Sequence, residues 1–278
     1  SAYDRREVRR AGQARVTGRR IDVKDAKEKR PKAASARVTV FAPASIGNVG
    51  PGFDVLGMAV TGRGDTVTAR VTLTPGVRIL AIAGDSRNLP LDPDKNTAGI
   101  AAGEVLRLLG VKQGVELSIH KNIPGSGMGS SAASAVAGAF AVNALFGGNL
   151  SKQDLLIPAA NAESRVSGGY FLDNVGASLL GGIIVTNPFS KHTVSLGTIP
   201  GMHVVIVTPA VEVLTKKARA ILPKEISMDD FVTNMANACS MVRAVQIKDA
   251  VLFGTSIHDA VVEPHRAGLI PGFFDVKR

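Results

Sequence analysis

Residues 124–133, Pro-Gly-Ser-Gly-Met-Gly-Ser-Ser-Ala-Ala, set a glycine-rich turn directly before an alanine-rich run at 132–146. Gly125, Gly127 and Gly129 alternate with other residues, and glycine lets a backbone take positive φ and approach a ligand closely. The run that follows carries no charge and no proline, a composition that forms helix. Its first free N–H groups would point back into the turn. With the positive end of the helix dipole they make an anion site suited to a phosphate chain. The Lys-Ser/Thr ending of the common nucleotide loop is absent, and so is G-x-G-x-x-G. On these ten residues alone, a flexible turn ahead of a core helix stands level with phosphate binding.

Outward from the turn, residues 115–120 read as a short strand leading into it. Residues 38–42 and 65–73 alternate apolar and polar side chains, a strand period. A helix is expected over 98–109, stopping at Gly110. Further helices are expected over 155–164 and 229–245, and apolar strands over 179–185 and 204–208. Strands and helices intermix without strict alternation, which points to an α+β fold. No internal repeat is found.

The chain has 278 residues, 45% of them hydrophobic, enough for a proper core and for two domains. Cys239 is the single cysteine, so an internal disulfide and a cysteine metal cluster are excluded; beside Ala238 and Met241 it reads as a core filler. A reducing, cytoplasmic compartment fits. No apolar stretch reaches the roughly 18 residues of a membrane span. The net charge of +10 is uneven: residues 1–36 hold twelve Lys/Arg against five acids, leaving about +3 for 37–278. This tail has few apolar residues and reads as disordered. A solvated tail is the favoured reading. A plastid transit segment fits poorly with five acids and few serines, and an RNA-binding arm would lack interleaved aromatic residues.

The order of residues 124–133 resembles the phosphate loop P-x-x-x-G-L-G-S-S-A-A of the GHMP small-molecule kinases, with Met128 in place of Leu. The segment from Phe41-Ala42-Pro43 through Asn48-Val49-Gly50-Pro51-Gly52-Phe53-Asp54 is similar to the family's first motif, A-P-x-x-x-x-N-x-G-x-G-F-D-x-L-G. The resemblance runs from about Val38 to Lys277 and is strongest to the branch that phosphorylates an amino-acid hydroxyl. It implies a two-domain α+β fold: a ribosomal protein S5 domain 2-like domain over 37–188, then a ferredoxin-like domain over 189–278. It also implies the reaction, transfer of the γ-phosphoryl of ATP to L-homoserine on the route to threonine.

Site roles carry over position by position. Residues Pro124, Gly125, Ser126, Gly127, Met128, Gly129, Ser130, Ser131 and Ala132 would hold the phosphates, with Asn96 at the edge of the nucleotide. Ser131 and Glu163 would hold Mg2+, a hard cation that takes few protein oxygens. Asn48, Asp54 and Asp173 would hold the substrate, Asp54 by its ammonium, and Arg219 and Arg266 its carboxylate, a group the guanidinium fork matches. Asn174 and Thr215 would stand at the reacting hydroxyl, together with Arg219. The expected partners are ATP and L-homoserine, with no nucleic acid and no membrane; a homodimer is compatible.

Two departures matter. In Ser167-Gly168-Gly169-Tyr170-Phe171-Leu172-Asp173-Asn174, Phe171 stands where the family segment has His, and Asn174 where other members place an acid. The loss of that His favours a sister kinase of mevalonate or shikimate, whereas Arg219 and Arg266 in their matched segments oppose it. If a side-chain base is used, the adjacent Asp173 is the candidate. The second departure is a missing S-G-S-G-P loop, from which an incomplete C-terminal domain is expected. The reading of another class is a non-catalytic fragment with an RNA-binding tail.

Overall fold

The computed structural model describes residues 36–84, 88–123, 127–211, 213 and 215–277. The tail at 1–35 and the turn residues Pro124, Gly125 and Ser126 therefore lie outside the described residues. Alternation over 38–42 builds β1 (Arg37–Ile46), antiparallel to the long β2 (Leu56–Thr72). Their register jumps between Pro43 and Ala44, where Pro43 faces Gly64 and Ala44 faces Val60. The jump divides β2 into two halves with different neighbours. Its later half pairs with β4 (Gly114–His120), and its first residues pair with β5 (Ile183–Asn187). β3 (Val77–Ala83) lies parallel to β4, and β6 (His192–Gly197) closes a hairpin with β5.

The crossover between the parallel strands β3 and β4 passes through α1 (Thr97–Leu109), which ends at Gly110 as expected. The alanine-rich run forms α2 (Ser130–Leu145), buried nearly all round. A helix without a polar face must sit inside, and α1, α3 (Lys152–Ser167), α4 (Leu172–Leu180) and the sheet surround it. Alanine makes this possible, since small side chains let helices and strands approach closely. The main apolar cluster lies here; a second one joins β2 and β5 to Met241, Ala244 and Val245 of α6 (Met228–Ile247). Short helices α5 (Thr215–Ala220), α7 (Ala250–Thr255), α8 (Glu263–Ala267) and α9 (Phe273–Lys277) complete the described chain. The fold is α+β, as the intermixed pattern implied.

Three expectations change. The apolar run at 179–185 is not one strand: Leu179 and Leu180 end α4, and β5 starts after Gly181-Gly182. Residues 204–208 are not a strand. They are irregular, with Val205 at 89% exposure, because no neighbouring strand among the described residues offers them a ladder. Cys239 is exposed on α6 instead of filling a core. Residues 188 and 189, where the expected domains meet, lie between β5 and β6. Among the described residues, no helix is long and apolar enough to cross a membrane.

Candidate active site

The glycine-rich turn ends where the sheet and α2 meet. Gly129 caps α2 at φ 64, a left-handed conformation that favours glycine. A Cβ there would lie 2.1 Å from Ser45 Oγ and 3.0 Å from Asn174 Oδ1. Glycine thus lets the turn rest on the end of β1, where the Ser45 N–H donates to the Met128 carbonyl (3.1 Å). Met128 is buried in the main cluster, so it fills the place of the motif's Leu. Gly127 is exposed and Ala132 buried. The two serines face different ways. Ser130 is buried with its hydroxyl 3.4 Å from Asp65 Oδ2, and Ser131 is only half-buried.

Beneath the turn, Lys121 and Asp65 form an ion pair with side-chain exposures of 3% and 0%. Lys121 Nζ also donates to the Ser130 carbonyl (3.0 Å) and to Ser134 Oγ (2.7 Å). Asp65 accepts from Ser134 Oγ (2.8 Å) and the Asn122 N–H (3.1 Å). The pair ties β2, the end of β4 and the first turn of α2 together, so the backbone below the glycine-rich turn is fixed from three sides.

The loop after β1 supplies the other end of the site. Asn48 and Asp54 both sit at positive φ, 54° and 56°, a conformation Asn and Asp tolerate better than most residues. Asn48 Oδ1 accepts from the Asp54 N–H (3.0 Å), which closes the loop on itself. The Asn48 N–H donates to Asp173 Oδ2 (2.9 Å). Arg219 from α5 donates to Asp54 Oδ1 at 2.5 Å. Its guanidinium carbon lies 4.9 Å from the Phe171 ring and 5.2 Å from the Phe53 ring. Arg266 of α8 lies 4.9 Å from the Phe53 ring and donates Nε–H to the Ala218 carbonyl (3.0 Å). Asn48, Phe53 and Arg266 line a cavity of about 170 Å³.

Asp173 and Asn174 open α4 between the two ends. Asp173 is 1% exposed; burial, then the negative charge of Asp54, push its carboxyl up to about 6, against the pull of the N–H donors of Asn174 and Asn48. Asn174 Oδ1 accepts from Ser45 Oγ (3.2 Å). Burial and the charge of Arg219 lower the pKa of Arg266, with Asp54 and Asp259 opposing.

Six expected residues, Asn48, Asp54, Asp173, Asn174, Arg219 and Arg266, therefore meet in one linked cluster, and Gly129 abuts it. Two others stand apart from its contacts. Glu163 is buried on α3; Oε1 accepts from Ser167 Oγ (2.7 Å), and Oε2 has no hydrogen-bond partner among the described residues. Asn96 caps α1, accepting from the Ala98 N–H (3.0 Å) and donating to the Pro90 carbonyl (3.2 Å). Thr215 opens α5, and its side chain lies outside the described residues.

Sequence reasoning missed Ser45, Asp65, Lys121 and Asp259. Asp259 is buried and accepts the N–H groups of Val261, Val262 and Glu263, which organises the start of α8 below Arg266. For Asp65 and Lys121 a signal existed: charged residues at the inner end of two expected strands.

The model of the GHMP kinases N terminal domain matches residues 96–182. A homoserine kinase of Chloroherpeton thalassium is 41% identical over 253 residues, 87% of this chain and 79% of the relative. One from Arabidopsis thaliana is 41% identical over 259 residues, 89% of this chain and 69% of the relative. The crystal structure of homoserine kinase from Cytophaga hutchinsonii superposes with a TM-score of 0.79 at 41% identity, covering 88% of this chain and 79% of that one. With these similarities over most of its length, the chain belongs to the homoserine kinase family of GHMP kinases.

Proposed function

We infer that the chain transfers the γ-phosphoryl group of ATP to the side-chain hydroxyl of L-homoserine, releasing ADP and O-phospho-L-homoserine. The observation that carries this reading is the Asp54–Arg219 pair beside Arg266, linked through Asn48, Asp173 and Asn174 to Gly129 at the start of α2. Joined carboxylate and guanidinium groups complement a zwitterion, because an amino acid can replace their mutual contact by one ion pair at each end. A hydroxy acid without an ammonium would leave Asp54 unmatched, a cost that works against mevalonate and shikimate.

In this reading residues 37–188 hold the nucleotide, and α5 and α8 supply the arginines. The turn at 124–132 cradles the phosphates through N–H groups and the dipole of α2, and Asn96 fixes the chain at the nucleotide's edge. Ser131 and Glu163 fit a divalent cation: one is a half-buried serine, the other has a buried carboxylate oxygen with no hydrogen-bond partner among the described residues. When bound, Mg2+ would neutralise charge on the phosphates. Asn48, Asp54 and Asp173 receive the ammonium, and Arg219 and Arg266 the carboxylate. Asn174 and Thr215 orient the hydroxyl, whose oxygen bonds to the γ-phosphorus as the bridge to ADP breaks. An amide takes up no proton, so if a side-chain base is used, the adjacent Asp173 is the candidate. Positioning and charge stabilisation then provide most of the rate.

The test is ADP release with ATP and Mg2+ against L-homoserine, mevalonate and shikimate, with turnover expected for homoserine alone. A basic-tail RNA-binding fragment would show no turnover and a salt-dependent RNA shift lost on deleting 1–36. Within an active preparation, Arg219→Ala is expected to raise KM for homoserine about 30-fold, the equivalent of about 2 kcal/mol for a charged hydrogen bond, and to leave KM for ATP unchanged.

The pH profile provides a second check. Asp173 must be ionised to receive the ammonium, and its carboxyl is pushed up to about 6. We therefore expect kcat/KM for homoserine to fall as pH drops through about 6, since this parameter reports the free enzyme. A bound ammonium favours the carboxylate, so the corresponding limb in kcat should lie at lower pH. Steady-state rates between pH 5 and 8 would show both limbs.

A further inference from the structure

Phe171 has no place in the chemistry above, yet it touches the residue on which substrate choice depends. It stands at the start of α4 and makes no side-chain cap. A Cβ on Gly169 would lie 2.8 Å from Phe171 Cζ, so the ring is seated over the Gly169 backbone. From there it meets the guanidinium of Arg219 at 4.9 Å, and Phe53 meets the same group at 5.2 Å. A guanidinium is weakly hydrated on its faces and donates hydrogen bonds only at its edge. Aromatic rings against a face hold the plane without consuming a donor. One edge donor of Arg219 is already directed at Asp54 (2.5 Å).

We propose that Phe171 is a positioning residue for the amino-acid substrate, stacking with Phe53 on Arg219 so that the guanidinium edge is held towards the substrate carboxylate. The inference rests on the reading of Arg219 as the carboxylate clamp. Phe171 is also a specificity element: it brings no charge and no hydrogen-bond group, so it leaves the acid substrate to Arg219 and Arg266 at every pH. A histidine there would carry a positive charge beside Arg219 at acid pH.

The test compares Phe171→Leu with Phe171→Tyr in the whole chain. Phe171→Leu keeps an apolar side chain and removes the ring. It is expected to raise KM for L-homoserine about fivefold to tenfold, with KM for ATP and the thermal midpoint unchanged. Phe171→Tyr keeps the ring and should retain the wild-type KM. A purely space-filling Phe171 would give equal, small changes in both KM values, or none, and would overturn the proposal. A second readout does not need catalysis. The Nε–H proton resonance of Arg219, identified by its loss in Arg219→Lys, should move on Phe171→Leu as the ring current is removed and stay in place on Phe171→Tyr. If the wild-type chain turns over no homoserine, the functional reading fails while this resonance still decides the stacking; a resonance unmoved by Phe171→Leu overturns it.

Discussion

Glu163→Gln is expected to lower kcat by about 100- to 1,000-fold, the scale on which a single group stabilising transition-state charge acts. The argument starts from cost. Glu163 is 6% exposed, with one carboxylate oxygen bonded to Ser167 and the other without a hydrogen-bond partner among the described residues. An uncompensated buried polar oxygen destabilises a fold, and a charged one does so more. A cation against that oxygen would remove the cost, and the same cation is what phosphoryl transfer requires. The substitution preserves shape and the chance of a bond to Ser167 but replaces a charged oxygen by a neutral group. KM for homoserine should change little, because the amino-acid cluster lies on other elements. Coupled ADP assays at several Mg2+ concentrations, with the thermal midpoint measured alongside, provide the check. A Glu163 that merely fills space would yield a Gln variant that is fully active and more stable.

The largest loss of stability is expected from Lys121→Met. The substitution leaves the Asp65 carboxylate buried without its counter-charge, and breaking one side of such a pair costs about 3–5 kcal/mol. That is a large share of the roughly 5–15 kcal/mol that holds a domain together. A fall of about 10 °C in thermal midpoint is the corresponding size. Function should suffer at one end only. Lys121 Nζ holds the Ser130 carbonyl and Ser134 Oγ, so KM for ATP should rise while KM for homoserine stays near its original value. Adding Asp65→Asn to Lys121→Met should recover part of the stability, since the second change removes the stranded charge. Thermal unfolding of the single and double variants measures this coupling. A double variant no more stable than Lys121→Met would show that the pair is not coupled.

The start of α2 was legible because its signal is contiguous: closely spaced glycines, then a run whose composition marks a helix. The same holds for α1 and β4. The clustering of Asp54, Arg219 and Arg266 was legible only through motif resemblance, since they are united by folding and by no local period. β2 was read from residue 65 onward because its earlier half runs through Gly57, Gly62 and Gly64, which obscure alternation. The 204–208 run has strand-forming side chains but no partner among the described residues, and a strand is a property of two segments. Lys121 and Asp65 are distant in sequence, and only the pairing of His120 with Thr66 makes them neighbours.

Gly47, in the loop after β1, and Gly57 of β2 have a consequence for heredity. A Cβ on Gly47 would fall 2.2 Å from Asp173 Oδ2, and one on Gly57 would fall 2.0 Å from the Asp173 carbonyl oxygen. Neither glycine is a candidate to touch substrate, yet a single methyl at either displaces the site's buried acid. In a mutational scan, alanine at 47 or 57 would therefore score as an active-site lesion. Lineages of this fold are free to vary the residues around Asp173 only so long as two hydrogen atoms stay where they are.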